Sequence, residues 1–327
     1  MKAMVYTKYG TTGILNLSEV EIPAPKSNEV LVKVHAVSVN SWDWDLLRGK
    51  PFLARLGGLL KPKYKILGAD IAGTVEAVGS DVNNLHIGDE LFGDISWCGW
   101  GGFAEYVCVR EDALTLKPAS MSFEEAAAMP QAGVLALQGI RDKGGIQAGQ
   151  KILINGAGGG VGTFALQIAK LYEAEVTCVD SAKKLAMLKS LGADHVIDFT
   201  QEDFTKNGQL YDLILDVVGT RSIFSYKQAL NPNGTYVMVG GSLSLILQLV
   251  LLGPVIAKSE GKKFGILVHR PNKKDQDFLK ELFLAGKVVP IIDRLFTLRE
   301  AEEAIRYLGE GHAKGKVVVC VKNNQEN

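Results

Sequence analysis

The chain has 327 residues, of which 47% are hydrophobic and 22% are charged, and its 36 basic residues balance its 36 acidic residues. This length favours two domains with a sizeable core, and the zero net charge argues against a nucleic-acid partner or an acidic membrane surface. The four cysteines are scattered without a Cys-x-x-Cys pair, so they predict neither a zinc knuckle nor a disulfide framework. The first residues carry no apolar signal core and no Arg-rich amphipathic pattern, so a cytoplasmic location is expected.

The first part of the chain has the pattern of a compact β domain. Residues 29–39 (EVLVKVHAVSV) alternate apolar and polar side chains over much of their length, as a half-buried strand does. Residues 72–79 and 103–109 predict further strands, and glycines at 88, 93 and 99–102 mark turns between them. Helical patterns are few in this region.

The pattern changes near Ser122, which with Glu125 resembles a helix capping box. From there strands and helices alternate, which predicts an α/β domain with a doubly wound parallel sheet. Strands are predicted at 151–155, 175–179, 195–198, 213–216, 235–239 and 263–268, and helices at 162–172, 182–191, 223–229 and 275–285. The tail predicts a strand at 288–291, a helix at 299–308 and a strand at 316–321. The last strand is expected to return to the first domain, so the predicted domains are 1–121 with 270–327, and 122–269.

Residues 243–257 (LSLILQLVLLGPVIA) form the most apolar segment. The segment is shorter than the span of about 20 residues that crosses a bilayer, and Gly253-Pro254 interrupts it, so no transmembrane segment is predicted. Three interpretations stay open: a buried core helix, a flap over an apolar substrate that Leu243 would contact, and a contact with a subunit or a membrane surface.

The most informative segment is residues 151–165, KILINGAGGGVGTFA. An apolar strand, a glycine-dense turn and an amphipathic helix follow one another, as in the phosphate-binding corner of a βαβ dinucleotide site. Glycines let the backbone approach a pyrophosphate, and the helix N-terminus offers it N–H groups and a positive dipole end. The alternative is a glycine turn that binds nothing. The predicted contacts are Ala157, Gly158, Gly159, Gly160, Val161 and Gly162.

The residues expected beside the cofactor's adenosine ribose give conflicting indications of NAD and NADP. Asp180 ends the second predicted strand of this domain, and an acid there normally binds the ribose 2′-OH of NAD. Ser181, Lys183 and Lys184 follow at once and are suited to a 2′-phosphate; the alternative for the lysines is surface charge on a helix. NADP is favoured over NAD because a nearby cation offsets one carboxylate.

Several segments spread from end to end of the chain have a common family pattern: ILGADIAGTVEAVG, IGDELFG, GGFAEYV, LKPASMSFEEAAAMPQAG, ILINGAGGGVGTFALQIAK, LGADHVID and GHAKGKVVV. Through them the chain resembles the medium-chain dehydrogenase/reductase superfamily, in its zinc-independent, quinone oxidoreductase-like branch. The resemblance implies a GroES-like β domain plus a Rossmann-type domain. It also implies hydride transfer from NADPH to quinones, enones or related activated double bonds.

The chain departs from the zinc alcohol dehydrogenases at the metal ligands. That branch has a cysteine near the position of Asn40 and Gly-His-Glu in place of Gly68-Ala69-Asp70. A catalytic zinc needs about three protein ligands, so no metal site is expected. Asp70 alone is expected to be a turn or packing carboxylate.

The resemblance also assigns individual residues. It implies that Asn40 lies beside nicotinamide and substrate, where its amide could donate to the acceptor oxygen; the alternative is a turn asparagine bonded to its own backbone. Trp44 is expected to form an aromatic wall for a flat acceptor, or to pack in the core. Val217, Val239 and Gly240 are expected to line the nicotinamide half of the cofactor. Phe199 is expected to pack on adenine or in the core. Lys316 is expected to approach a phosphate, or to be a charge at the start of a strand.

The sequence therefore predicts a zinc-independent NAD(P)H-dependent oxidoreductase acting on quinones or α,β-unsaturated carbonyls. Solvent or a ribose hydroxyl relay is expected to supply the proton, since no residue stands out as an acid. The alternatives are an alcohol or enoyl-thioester reductase of the same superfamily, and a low-turnover nucleotide-binding regulatory or structural protein. A homodimer joined at the strand 263–268 is also open.

Overall fold

The computed structural model describes residues 1–56 and 58–321. Its contacts divide the chain into two units. The first comprises Met1–Gln131, Pro271–Leu284 and the described part of Pro290–Asn327, and the second comprises Ala132–Arg270 and Ala285–Val289. The domain limits expected from the sequence, 1–121 with 270–327 and 122–269, stay a prediction.

The strands are β1 (Lys2–Val5), β2 (Asn16–Glu19), β3 (Glu29–Val39), β4 (Asp70–Val78), β5 (Glu90–Asp94), β6 (Tyr106–Arg110), β7 (Leu114–Leu116), β8 (Lys151–Asn155), β9 (Glu175–Asp180), β10 (His195–Asp198), β11 (Tyr211–Asp216), β12 (Leu230–Met238), β13 (Lys263–Ile266), β14 (Ile292–Thr297) and β15 (Lys316–Cys320). The α-helices are α1 (Ser41–Arg48), α2 (Phe123–Ala128), α3 (Pro130–Leu137), α4 (Gly160–Lys170), α5 (Ala182–Ser190), α6 (Ile223–Gln228), α7 (Leu243–Glu260), α8 (Lys273–Leu284) and α9 (Ala301–Gly309).

The first unit is built on a mainly antiparallel sheet with the order β14-β15-β3-β4-β5-β7, in which β6 pairs with β3 and only β14 and β15 run parallel. Its strands are rich in valine, which suits a pleated and half-buried surface. The register sets Val39 opposite Val317 and Ser38 opposite Asp70. The carboxyl end of β3 therefore meets the beginnings of β15 and β4, which brings Asn40, Lys316 and Asp70 to one place.

The second unit has a parallel six-stranded sheet with the order β10-β9-β8-β11-β12-β13. The chain order reverses at β8, between β9 and β11, and open α/β sheets bind ligands outside the strand ends at such a point. Asn155, Asp180 and Asp216 end these three strands. The expected α/β class, a GroES-like unit plus a Rossmann-type parallel sheet, is confirmed.

The strand predicted at 288–291 is wrong, because pairing with β15 begins only at Ile292. Pro290 interrupts the apolar run and has no N–H for a ladder. The backbone of Val289 is instead hydrogen-bonded to the side chain of Gln167. Its N–H donates to Gln167 Oε1 at 2.9 Å, and its carbonyl accepts from Gln167 Nε2 at 3.0 Å.

Helix α7 continues through Pro254, where an interruption was expected. Proline leaves the carbonyl four residues earlier without its intrahelical donor, and here that residue, Val250, lies on the exposed face where solvent can bond it. The opposite face is buried against the unit's core through Leu245, Leu249, Gly253 and Ile256. By length and composition alone α7 could cross a membrane, and it is the one such helix among the described residues.

Candidate functional site

The glycine turn after β8 has a backbone that side chains would block. Gly156 adopts φ +80°, a left-handed conformation that favours glycine. The N–H groups of Gly156 and Ala157 both donate to the carbonyl of Val179, at 2.9 and 3.1 Å, which fastens the turn to β9. A Cβ on Gly162 would lie 2.4 Å from Ala157 Cα, so only glycine lets α4 pack this close.

The turn leads directly into a helix N-terminus. Gly159 is the N-cap of α4, and a Cβ added there would meet only the carbonyl oxygen of Gly156, at 3.7 Å. The N–H groups of the first turn, on Gly160, Val161 and Gly162, lack intrahelical acceptors by geometry. They therefore suit a phosphate, and the six residues predicted for this role form one continuous loop and helix start that fits a dinucleotide.

Asp180, at the end of β9, connects the residues predicted to bind the ribose to this loop. Its Oδ2 accepts the N–H of Gly158 at 2.8 Å, and its Oδ1 accepts the N–H of Ser181 at 2.8 Å. The ammonium of Lys184 lies 3.5 Å from Oδ1, so the carboxylate has a buried cation beside it. Phe199 donates its N–H to the carbonyl of Asp180 at 3.2 Å and leaves its ring half-exposed. The structure thus brings all four predicted residues together.

Val217, Val239 and Gly240 follow the ends of β11 and β12. Val217 donates its N–H to the carbonyl of Asn155 at 2.9 Å, and Val239 donates to that of Asp216 at 2.8 Å. A Cβ on Gly240 would lie 2.6 Å from the carbonyl oxygen of Val217. These residues form close backbone contacts at the carboxyl edge of the sheet, where the resemblance expects nicotinamide.

Asp216 is a buried acid that the sequence left without a side-chain role. It accepts hydrogen bonds from Asn155 Nδ2 at 2.8 Å, from the Tyr236 hydroxyl at 2.7 Å and from the Val218 N–H at 3.3 Å. Burial raises the pKa of this carboxyl, and its hydrogen-bond donors oppose the rise. The acid ties the ends of β8, β11 and β12 together. The one sequence feature that could have indicated this role is the position of an acid at the end of an apolar strand.

In the first unit Asn40 follows β3 and is almost completely buried. Its Nδ2 donates to Asp70 Oδ2 at 2.9 Å, and its Oδ1 accepts from the Lys316 ammonium at 2.6 Å. Lys316 also lies 3.7 Å from Asp70 Oδ2. The Asn40 side chain is therefore bonded to an acid and a base, and Asn40 is also the N-cap of α1, where it forms a capping box with Asp43.

Two buried carboxylates hold the backbone around Asn40. Asp43 accepts the N–H groups of Asn40 and Gly68 at 2.8 and 2.9 Å, and Asp70 accepts the N–H of Gln131 at 3.2 Å. Burial raises the pKa of Asp43 to about 7 and that of Asp70 to about 8, against the lowering effect of the nearby Lys316. Burial lowers the pKa of Lys316 itself, and Asp70 opposes that shift.

The two predicted substrate contacts lie in different units. Trp44 packs against the core of the first unit, with the Arg48 guanidinium 4.3 Å from its ring centre. Leu243 begins α7 in the second unit and is half-exposed. Within residues 1–56 and 58–321, no three His, Cys, Asp or Glu side chains are grouped to hold a metal ion.

Two family models match the chain. The model described as alcohol dehydrogenase GroES-like domain covers residues 26–119, and the one described as zinc-binding dehydrogenase covers residues 191–319. The second description names a metal, but Asn40 and Ala69 stand where the resemblance expects zinc-ligand side chains in the zinc enzymes.

Curated relatives and solved structures match along the full length. The chloroplast envelope quinone oxidoreductase homolog of Arabidopsis thaliana is 33% identical over 98% of each chain. The 2-methylene-furan-3-one reductase of Solanum lycopersicum is 36% identical over 98% of this chain and 79% of that protein. The quinone oxidoreductase of Coxiella burnetii superposes with a TM-score of 0.89, at 32% identity over 98% of this chain and 99% of that one.

These relatives also bear on location and cofactor. The first relative's name places it in the chloroplast envelope, and a cytoplasmic location for this chain stays a prediction. The glycine loop together with the relatives makes the chain a nicotinamide-dependent oxidoreductase. The chain belongs to the medium-chain dehydrogenase/reductase superfamily, in its quinone oxidoreductase-like branch.

Proposed function

We propose that the protein reduces quinones or α,β-unsaturated carbonyl compounds with NADPH. The observation that carries the proposal is the fixed amide of Asn40. One of its two N–H groups is committed to Asp70 and its oxygen to Lys316, which leaves the second N–H as a donor for an acceptor's carbonyl oxygen. The names of two relatives agree with this acceptor class: one is a quinone oxidoreductase homolog, and the other is a reductase of 2-methylene-furan-3-one, a ketone with a conjugated exocyclic double bond.

For this reaction the protein needs only to position the acceptor and to donate one hydrogen bond to it. The nicotinamide would supply a hydride to the β-carbon of an enone or to a quinone ring. Negative charge then moves to the carbonyl oxygen, and a donor fixed in advance stabilises that charge without reorganisation. Asn40 is the proposed donor, and solvent is the proposed source of the proton.

The choice of NADPH rests on the charges beside Gly158. Asp180 alone would favour the 2′-OH of NAD, but Lys184 offsets its charge at 3.5 Å and Lys183 adds a second, exposed cation. Ser181 adds a hydroxyl at the same point, while its backbone N–H donates to Asp180 Oδ1 at 2.8 Å. A 2′-phosphate would therefore meet net positive charge.

Absorbance loss of the reduced nicotinamide tests the proposal. NADPH and NADH are each compared on a panel of benzoquinone, a simple enone and the corresponding saturated ketone, with and without a chelator. We expect reduction of the conjugated acceptors, preference for NADPH and no effect of the chelator. Equal reduction of the saturated ketone, or loss of activity with the chelator, would count against the proposal. A preference for NADH would indicate that Asp180 binds the ribose 2′-OH of NAD.

A homodimer is part of the proposal. Strand β13 pairs only with β12 among the described strands, so its outer edge is open, and α7 beside it exposes Val250, Leu251 and Val255. An open edge next to apolar surface favours pairing with a second copy. Light scattering should give twice the chain mass, and Leu251→Asp should give the monomer, with Leu171→Asp on another exposed surface as the control.

A further inference from the structure

The buried groups around Asn40 contain three acids and one base. Asp43, Asp70 and Asp94 are each at most 2% exposed and come from α1, β4 and β5. Lys316, the first residue of β15, is 2% exposed, and its ammonium lies 2.6 Å from Asn40 Oδ1 and 3.7 Å from Asp70 Oδ2. Its position next to Asn40 therefore supplies a buried positive charge where the surroundings are otherwise acidic.

The contact between Lys316 and Asn40 fixes the orientation of the amide. An ammonium has donors only, so the Asn40 atom 2.6 Å from it must be the oxygen. The amide nitrogen then faces Asp70 and donates to it at 2.9 Å. The flipped amide would set its N–H groups against the ammonium and its oxygen against the carboxyl. Lys316 and Asp70 together leave Asn40 one arrangement, with one N–H uncommitted.

We propose that Lys316 is a positioning residue for the reduction: it holds Asn40 with its amide nitrogen as donor and polarises that amide toward the oxyanion of the acceptor. This inference rests on the proposed function. Hydrogen bonds in a chain strengthen one another, by about 10–30% per bond, and charged donors make stronger bonds than neutral ones. A cation behind the amide oxygen therefore makes the opposite N–H a better donor.

The proposal gives Lys316 a role different from the phosphate contact that the family resemblance implies. In the structure its ammonium contacts Asn40 Oδ1, Asp70 Oδ2 and, at 3.4 Å, the carbonyl of Val39. A residue that acts on a phosphate would affect cofactor affinity. A residue that acts through Asn40 would affect the rate of turnover and leave cofactor affinity unchanged.

A double-mutant cycle separates these roles. Lys316→Met is made in the wild type and in Asn40→Ala, and kcat with an enone and the Kd of NADPH are measured for all four proteins. We expect Lys316→Met to lower kcat by about tenfold to a hundredfold in the wild type and by less than about twofold in the Asn40→Ala background, with Kd unchanged. Equal losses of kcat in both backgrounds, or a raised Kd in place of a lowered kcat, would overturn the proposal.

A second variant covers loss of stability. Lys316→Met removes the partner of a buried acid, which is destabilising, so Lys316→Met with Asp70→Asn replaces both members of the pair together. We expect this pair to recover the Tm of the wild type while kcat stays low. Recovery of kcat along with Tm would show that Lys316 has a structural role only.

One measurement remains decisive if the acceptor class is wrong. Absence of wild-type turnover on every quinone and enone would contradict the proposed function, and kcat would then say nothing about Lys316. The side-chain amide signals of Asn40, observed by NMR with labelled asparagine, test the contact directly. Lys316→Met should move them, whereas Lys184→Met should not. Unmoved Asn40 signals in Lys316→Met would overturn the inference, whatever the activity.

Discussion

The carboxylate of Asp180 accepts the backbone N–H of Gly158 at 2.8 Å, so the acid proposed to bind the ribose is hydrogen-bonded to the glycine loop proposed to bind the phosphates. The side chain of Lys184 packs against Gly158, so closely that a Cβ on Gly158 would lie 2.5 Å from the lysine's Cδ. The charged groups proposed to select the cofactor therefore contact the glycine loop directly. A substitution of Asp180 or Lys184 should change the preference between NADPH and NADH.

Lys184→Gln should reduce the preference for NADPH. Loss of a charged hydrogen bond to a 2′-phosphate costs about 1.5–3 kcal/mol, so kcat/KM for NADPH should fall by about tenfold to a hundredfold while that for NADH changes by less than about threefold. Steady-state kinetics with both cofactors give the ratio. Lys183→Gln, on the exposed side of the same helix, is the matched control and should have the smaller effect. A parallel fall for both cofactors would contradict the role in 2′-phosphate binding.

Gly162→Ala should destabilise the protein, since the new Cβ would lie 2.4 Å from Ala157 Cα and neither backbone can move freely. Overpacking of this kind costs about 1–3 kcal/mol, which is expected to lower Tm by several degrees in thermal unfolding.

Gly253→Ala is the matched control for this change. It is also a helical glycine, but its added Cβ would find ordinary contact at 3.4 Å from Phe264 Cβ. Its Tm should stay level or rise, because alanine is favoured over glycine in a helix by about 1 kcal/mol. Equal losses at the two positions would mean that the close approach of α4 to the turn is not what requires glycine.

Tyr236→Phe should weaken the buried contacts that join β8, β11 and β12. The change removes the 2.7 Å hydrogen bond to Asp216 Oδ2 and leaves a buried carboxyl short of a donor, at about 1–3 kcal/mol. Thermal unfolding should show a lower Tm. Tyr106→Phe, on β6 of the first unit and partly exposed, is the control and should leave Tm within about a degree. An unchanged Tm in Tyr236→Phe would show that this hydrogen bond to Asp216 contributes little to stability.

The nucleotide unit could be predicted closely because its signals are local. Strand β8, the glycine turn and α4 are adjacent in sequence, and hydrophobic spacing alone sets their order. The segment 288–291 was wrongly predicted as a strand, because the backbone of Val289 is hydrogen-bonded to the distant side chain of Gln167, which no local pattern reports. The contact between Asn40 and Lys316 was missed for the same reason, since it depends on the register between β3 and β15.

The pKa of Asp43, which burial raises to about 7, predicts how stability depends on pH. An acid whose pKa is higher in the folded state holds its proton there after the unfolded chain has lost it, so its contribution is complete below about pH 4 and is lost as pH rises through about 7. The wild type should therefore lose more Tm than Asp43→Asn between about pH 5 and pH 8. Asp194→Asn is the control, because its hydrogen bonds to Lys170 and Val176 outweigh its partial burial and lower its pKa. Asp194 contributes its stability above about pH 4 and loses it as pH falls further, so Asp194→Asn should lower Tm by a constant amount between about pH 5 and pH 8. A wild-type Tm that is flat over that range would mean that Asp43 is ionised in the folded protein throughout.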